Sequence, residues 1–411
     1  MVLRVECHQI NENHELYDVI DNSCWKSKNL YNRIRYLLKN KFKNDEKFSI
    51  AHSTLYKEYS DLKEKQELGS VISNLTIKQL SKDYKSSFQS YKKYKKDPSG
   101  FSGKPNFPDF KPPRELGRTK AAWQCNVRKD GTISIPKTDY KIDFLQNTDK
   151  KCKEVRFIPQ PFGHIDSITH YNLELVYEID VPEPKEETDR VVGIDLGLDR
   201  LATCVNNVGE KPIAINGKPV NSMNAYYNKK RAKFMEYVGD RGTSNRIRKL
   251  TKKRNNKIKH YFHCASRYVV DWCKDHNIDT IVIGENKGWK QESNMGKVTN
   301  QNWVSIPHNM LKEQIEYKAE EYGIKVVFNE ESYTSKSSFL DRDDIPKYDG
   351  EEHDYDFSGY RTNRGMYKSY EHGEIHADVN GAYNIIRKKL SDIFDCEIFR
   401  HPRVVTVGNY K

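Results

Sequence analysis

Three acids stand where a carboxylate is hard to accommodate. Asp195 ends an apolar strand in VVGIDLG, Glu285 ends another in IVIGEN, and Asp378 precedes a helix in HADVNGAYNI. A carboxylate at the end of a buried strand is unfavourable unless it is paired, hydrogen-bonded or bound to a cation. One such acid is weak ground, because acids also cap helices and begin loops. Three in one half of a chain point to a shared divalent-metal site. Two hard cations about 3.5–4 Å apart, held by carboxylates, can activate a water and stabilise the leaving oxygen of a phosphodiester. Mg²⁺ (or Mn²⁺) is the expected cofactor, because Mg²⁺ binds through few carboxylates and keeps several of its waters.

The elements around these acids alternate. A strand over Arg190–Asp195 is followed by a hairpin return over Leu201–Val205, and a long basic helical region runs from about Tyr226 to His276. Then come a strand ending at Glu285, a helix near Pro307–Tyr322 with Met310, Leu311, Ile315 and Ala319 on one face, and a strand over Ile324–Phe328. Residues 341–374 read as polar and irregular, and a last helix begins near Asn380. Strands interleaved with helices predict an α/β domain. The first half differs. Leu3, Val5 and Cys7 alternate with Arg4, Glu6 and His8, which predicts a half-buried strand. Helices carry the chain to about Lys96, and in Ser81–Lys96 the rings Tyr84, Phe88, Tyr91 and Tyr94 recur at helical spacing among lysines. Those rings either fill an apolar face or stack on bases. The Pro/Gly-rich Asp97–Pro113 reads as an ordered loop, and residues 120–180 as strands with a turn at Asp130-Gly131. Val181–Arg190 reads as a linker.

The balance of 70 Lys plus Arg against 58 Asp plus Glu gives the 411-residue chain a formal charge of +12. With 26 Tyr and 16 Phe among those charges, nucleic acid is the partner to expect. The eight cysteines are scattered and make no C-x-x-C pair, so neither a disulfide framework nor a zinc knuckle is expected. No apolar run is long enough to span a membrane. The expectation is a soluble, intracellular protein of a reducing cytosol.

At the acidic motifs the sequence resembles a known family. GIDLGLDRLAT (Gly193–Thr203), IVIGENKGWKQ (Ile281–Gln291) and ADVNGAYNIIRK (Ala377–Lys388) resemble, in order, the three RuvC motifs of the transposon-encoded TnpB nucleases, relatives of the type V CRISPR effectors. Lys252–Thr280, Gln301–Val326 and EESYTSKSS (Glu330–Ser338) are similar to family segments in the same order. The N-terminal half is similar more loosely, through its first strand, Leu30-Tyr31-Asn32 and GKPNFPDFK (Gly103–Lys111). The resemblance implies an RNase H-like nuclease domain over 190–411, preceded by a β-barrel wedge domain (1–10 and 114–181) that carries a helical recognition insertion (11–113), with 182–189 as linker. It places the catalytic, metal-binding carboxylates at Asp195, Glu285 and Asp378. It further implies a guide RNA from the transposon end, double-stranded DNA as target, a short adjacent motif beside the cut, and a prokaryotic, nucleoid-associated setting; the oligomeric state stays open, with a monomer favoured. Many TnpB proteins carry two C-x-x-C pairs of a zinc ribbon between the second and third motifs. Here Ser338 and Asp341 stand about where the first pair would fall, and the insert at 333–375 has no cysteine. No zinc is expected, although His353, His372 and His376 lie in or beside the insert. The patterns YTSK-S and RG-Y mark a subgroup of cysteine-free versions.

Lys229, Lys230, Arg231, Arg246, Arg248, Lys249, Lys252, Lys253, Arg254, Lys257 and Lys259 form a dense positive stretch, and acids are nearly absent from Asn245 to His263. A solvated face is the plain reading of such a run; unpaired charge favours a phosphate-facing groove that grips backbone without reading sequence. Tyr84, Tyr91 and Lys104 are the nucleic-acid candidates of the first half. Two alternatives stand beside the nuclease: a relative that only binds DNA and represses, which intact acids disfavour, and an actin-like kinase, whose second phosphate hairpin and adenosine-binding glycines are missing. A compact CRISPR-associated effector remains within the same resemblance.

Overall fold

The computed structural model describes residues 2–111, 117–143, 151–161, 168–184, 189–239, 242–285, 306–348, 354–363, 365–390 and 393–408. They divide into two compact units, Met1–Asp180 and Val181–Lys411.

In the first unit, β1 (Val2–Asn11) leads into α1 (Tyr17–Lys43), α2 (His52–Glu58), α3 (Lys63–Leu68) and α4 (Ser70–Lys96). Ile20, Cys24, Ser27, Leu30, Ile34 and Leu38 repeat every three or four residues along α1, and all are buried. Strands β2 (Ala121–Gln124), β5 (Lys151–Pro161) and β6 (Ile168–Ile179) join β1 in an antiparallel sheet of order β1-β6-β5-β2. That order is open, with β1 and β2 at the edges among the described residues, where the resemblance implies a barrel. Helices and sheet share one core: Leu30, Ile34, Leu80 and Tyr84 pack in the same cluster as Trp123, Val155, Phe157 and Leu173. The turn at Asp130-Gly131 closes with Arg128 N–H donating to Thr132 O at 2.8 Å, but β3 (Ile133–Ser134) and β4 (Lys141–Ile142) follow it and pair with each other.

The first strand reverses its expected polarity. Leu3 is 59 % exposed and Val5 49 %, while Arg4, Glu6 and His8 are half-buried. Alternation shows that a strand has two faces, but not which one the rest of the chain covers.

The second unit is built on a mixed sheet. Strands β7 (Val191–Asp195), β8 (Arg200–Asn206) and β9 (Ile213–Asn216) precede helices α5 (Lys218–Val238) and α6 (Asn245–Asp275). The basic region is therefore two helices, the second capped by Ser244, whose side chain accepts from Ile247 N–H at 3.3 Å. Strand β10 (Thr280–Glu285), α7 (His308–Glu320) and β11 (Lys325–Glu330) follow. The sheet order is β11-β10-β7-β8-β9-β15, where β15 (Arg403–Val405) lies parallel to β9. Alternate residues feed two cores. Ile194, Ile281 and Ile283 pack with Phe262, Val269 and Leu311 of α6 and α7. Val191, Val205 and Val282 pack on the opposite side with Val379, Tyr383 and Ile386 of α8 (Ala377–Leu390).

The segment read as irregular contains a three-stranded antiparallel sheet, β12 (Tyr360–Asn363), β13 (Met366–Ser369) and β14 (Gly373–His376). Its strands are too short and polar for periodicity to reveal. Among the described residues no helix is long and apolar enough to cross a membrane.

Candidate metal centre

The motif acids sit at the ends of neighbouring elements because β7 and β10 run parallel, Ile194 opposite Ile283, so that both end at the same edge of the sheet. Asp195 is the last residue of β7, Glu285 the last of β10, and Asp378 lies in the first turn of α8. An acid in the first helical turn is favoured by the N–H ends there. Gly381, one turn along from Asp378, allows the approach of Asp195: a Cβ at this position would lie 3.0 Å from Asp195 Oδ2. Asp378 and Gly381 therefore present the same helix face to β7.

Electrostatics separate the acids. Burial first, then the charges of Asp378 and Glu331, push the Asp195 carboxyl well above its ordinary value, with Arg361 of β12 opposing. Glu285 accepts from Lys312 Nζ of α7 at 3.2 Å. His376 Nδ1 accepts from Asp378 N–H at 3.2 Å, and burial, with Arg200, His401 and Arg361, lowers its pKa to about 4. Its ring is thus neutral at pH 7. Glu331, beside the end of β11, was not singled out from the sequence. Its carboxyl is raised to about 7, first by burial and then by Glu330 and Glu285, against Lys312 and Lys388.

Among the described residues, no three His, Cys, Asp or Glu side chains stand together as a ready metal cluster. The donor chemistry nonetheless fits a hard divalent cation. All the motif donors are carboxylate oxygens, and burial and the charge of Asp378 disfavour the charged form of Asp195, a cost that a bound cation would offset.

The third motif also holds the insert in place. Asn380 and Asn384, one turn apart and 0 % exposed, face the loop after β11. Asn380 Nδ2 donates to Ser337 O at 2.8 Å, while its Oδ1 accepts from Phe339 N–H at 2.9 Å. Asn384 Nδ2 donates to Thr334 O at 2.9 Å and Ser337 O at 2.7 Å.

At the expected position of a first cysteine pair there is a hydrogen-bonded carboxylate. Asp341 accepts from the hydroxyls of Ser338 and Ser369, each at 2.6 Å, and from Tyr370 N–H at 2.9 Å and Glu371 N–H at 3.1 Å. Burial alone would raise this carboxyl, but those four donors hold it at about 2. The contacts tie the loop to β13. Asp341→Ala should therefore destabilise the second unit by about 3 kcal/mol, because two buried serines lose their acceptor. Denaturant titration checks this. Since the folded pKa lies below the unfolded one, the stabilisation is present above about pH 4 and lost as pH falls towards 2. His353 lies outside the described residues; His372 precedes β14 and His376 ends it.

The basic candidates differ among themselves. Lys229, Lys230, Arg231, Arg246, Lys249, Lys253, Lys257 and Lys259 are exposed. Arg248, Lys252 and Arg254 are half-buried. Arg254 Nε donates to Asn224 Oδ1 at 2.8 Å, and its guanidinium lies 5.5 Å from the Tyr227 ring, joining α5 to α6. Tyr84 cannot stack on a base. It is 3 % exposed, packed against Phe88 and Phe107, so the apolar-face reading holds for this ring. Tyr91 is half-buried, with the ammonium groups of Lys95 and Lys104 at 5.2 and 5.6 Å from its ring. The loop carrying the exposed Lys104 is ordered: Asn32 exchanges two 2.9 Å hydrogen bonds with the Lys111 backbone, and Arg35 Nε donates to Pro108 O at 2.7 Å.

Residues 174–290 match the family OrfB_IS605, described as probable transposase, and residues 308–385 match the Cas12f1-like TNB domain. A TnpB-like protein of Acidianus two-tailed virus is 25 % identical over 222 residues, covering 52 % of this chain and 44 % of the relative. The CRISPR-associated endodeoxyribonuclease Cas12f2 of a Micrarchaeota archaeon is 26 % identical over 237 residues, 54 % of this chain and 41 % of the relative. The chain thus matches less than half the length of each. A Cas12f1–sgRNA–target DNA complex contains a chain that superposes with a TM-score of 0.56 at 14 % identity, over 90 % of this chain and 82 % of that one, a likeness of fold.

Proposed function

As a relative of the TnpB family, this chain is, we propose, an RNA-guided DNA endonuclease whose three motif acids hold divalent metal for phosphodiester hydrolysis. The observation that supports the reading is that β7 and β10 run parallel and end at Asp195 and Glu285, with Gly381 in the first turns of α8 close to the Asp195 carboxylate. The sheet order β11-β10-β7-β8-β9, with β8 antiparallel to β7 and β10 and β11 parallel to it, supports the RNase H-like reading of this domain.

Divalent ions held by these acids would activate a water and stabilise the leaving oxygen. The chain's own residues prepare the site. Gly381 lets the Asp195 carboxylate meet the start of α8, His376 fixes the Asp378 backbone, and Lys312 balances the charge of Glu285. Arg361 adds positive charge close to Asp195. Exposed cations of α5 and α6 supply a sequence-blind grip on phosphate. The guide is an RNA from the transposon end, the target is double-stranded DNA, and 1–10 with 114–181 forms a wedge around a helical recognition segment at 11–113. Intact acids separate this reading from that of a binding-only repressor.

The test is cleavage of a plasmid carrying a matching target, by purified protein with its guide and Mg²⁺. No product in any register beside the target would overturn the proposal. Metal removal gives a second expected result. EDTA should stop cleavage without a large fall in melting temperature, because a structural zinc would contribute folding energy outright. One zinc per chain by elemental analysis would show instead that histidines or the scattered cysteines form a hidden site.

A further inference from the structure

Beyond the three motif acids, we propose that Glu331 is a fourth carboxylate ligand of the same divalent-metal site; the inference rests on the nuclease reading above. Glu330 and Glu331 are adjacent at the end of β11, yet their side chains have different surroundings. Glu330 is engaged by Lys388 and accepts from Ser332 N–H at 2.6 Å, a local structural arrangement. Glu331 is only 8 % exposed and crosses the neighbouring strand at Gly284. A Cβ at Gly284 would collide with Glu331 Oε2, so the glycine beside the motif glutamate opens a cradle that this carboxylate fills.

Gly284 lies between Glu285 and Ile283, and Ile283 pairs with Ile194 just before Asp195, so the cradle is next to the ends of both strands. The Glu331 charge acts on Asp195, and that of Glu285 acts on Glu331. Glu331 therefore links the Asp195–Asp378 pair to Glu285. Lys312, Lys388 and Arg361 supply three positive charges against five carboxylates, Glu330 included. An acidic excess of this kind, in a partly buried place, suits hard divalent cations with oxygen ligands. A scaffold role would need Glu331 only as a partner of Lys312. A ligand role needs its charge for metal affinity and leaves the metal-free fold largely indifferent to it.

Glu331→Gln separates the two, because the amide keeps the shape and removes the charge. Titration of the full chain with Mn²⁺ alone, without nucleic acid, should show at least about 10-fold weaker binding than wild type, the loss already seen when partners of metal ligands are removed. The metal-free melting temperature should be equal or higher, and cleavage should recover partly at raised Mn²⁺. Mn²⁺ affinity equal to wild type would overturn the assignment, as would a metal-free variant that melts well below wild type or does not fold. Asp195→Asn is run in parallel. If it weakens Mn²⁺ binding while Glu331→Gln does not, only the fourth ligand falls. If wild type and Asp195→Asn bind Mn²⁺ equally weakly, the nuclease site itself falls.

Discussion

Asp195→Ala should abolish target cleavage, by about 10³-fold or more, while leaving guide binding and target binding near wild type. Loss of one carboxylate from a metal site removes the metal's contribution to the reaction, and that contribution is several kcal/mol of transition-state stabilisation. Glu285→Ala and Asp378→Ala should behave alike. A double variant should be little worse than either single one, because groups that act as a unit are not additive. The fold should survive each change. Asp195 is destabilised in its charged form by burial and by Asp378 and Glu331, so its removal relieves repulsion in the metal-free protein. Cleavage is read on a supercoiled target plasmid, binding on labelled guide and target in Mg²⁺. Substantial cutting by any of the three variants would show that the metal site is elsewhere.

Replacing the target-matching segment of the guide should move the cut to the new matching site, provided the adjacent motif is present. Without RNA, the protein should bind DNA weakly, with steep salt dependence and no sequence preference. The exposed cations of α5 and α6 carry this argument. Contacts to phosphate displace counterions and give affinity that falls steeply with salt, but they cannot choose one site among very many. In RNA-guided nucleases that choice is made by base pairing, and the protein reads only a short motif. The ordered loop pinned by Asn32 and Arg35 is the place where that motif should be read. Electrophoretic binding at several salt concentrations and mapping of cut ends test both halves. RNA-free cutting at one defined sequence, or a cut that ignores the guide, would replace this reading with an ordinary resolvase-like nuclease.

Much of the site was legible in the sequence because its elements are local. Apolar runs ending in Asp195 and Glu285 signal buried strands, and the helix at Asp378 carries its own apolar period. Such patterns depend on neighbours a few residues away, so composition along the chain is enough to find them. The buried Asn380 and Asn384 lay within a recognised motif, but their task of holding the loop at 334–339 emerged only once α8 was seen against that loop.

What the chain alone left open were questions of which surface meets which. The alternation in Val2–Asn11 established a strand, but burial chose the face with Arg4, Glu6 and His8 over the face with Leu3 and Val5. Helical spacing gave Tyr84 two equal roles, and contact with Phe88 and Phe107 assigned it to the core. β12, β13 and β14 are four residues each and held by cross-strand bonds, so they carry no period long enough to read. Glu331 belongs to the same class. Beside Glu330 it looks like one of two interchangeable surface acids, and only the bare backbone of Gly284 on the adjacent strand draws it inward. The sequence by itself determined the acids, the alternating elements and the excess of basic charge, because these are properties of residue type and spacing. The tertiary structure decided which acids share one electrostatic environment, because that depends on parallel strand ends and helix approach between segments far apart along the chain.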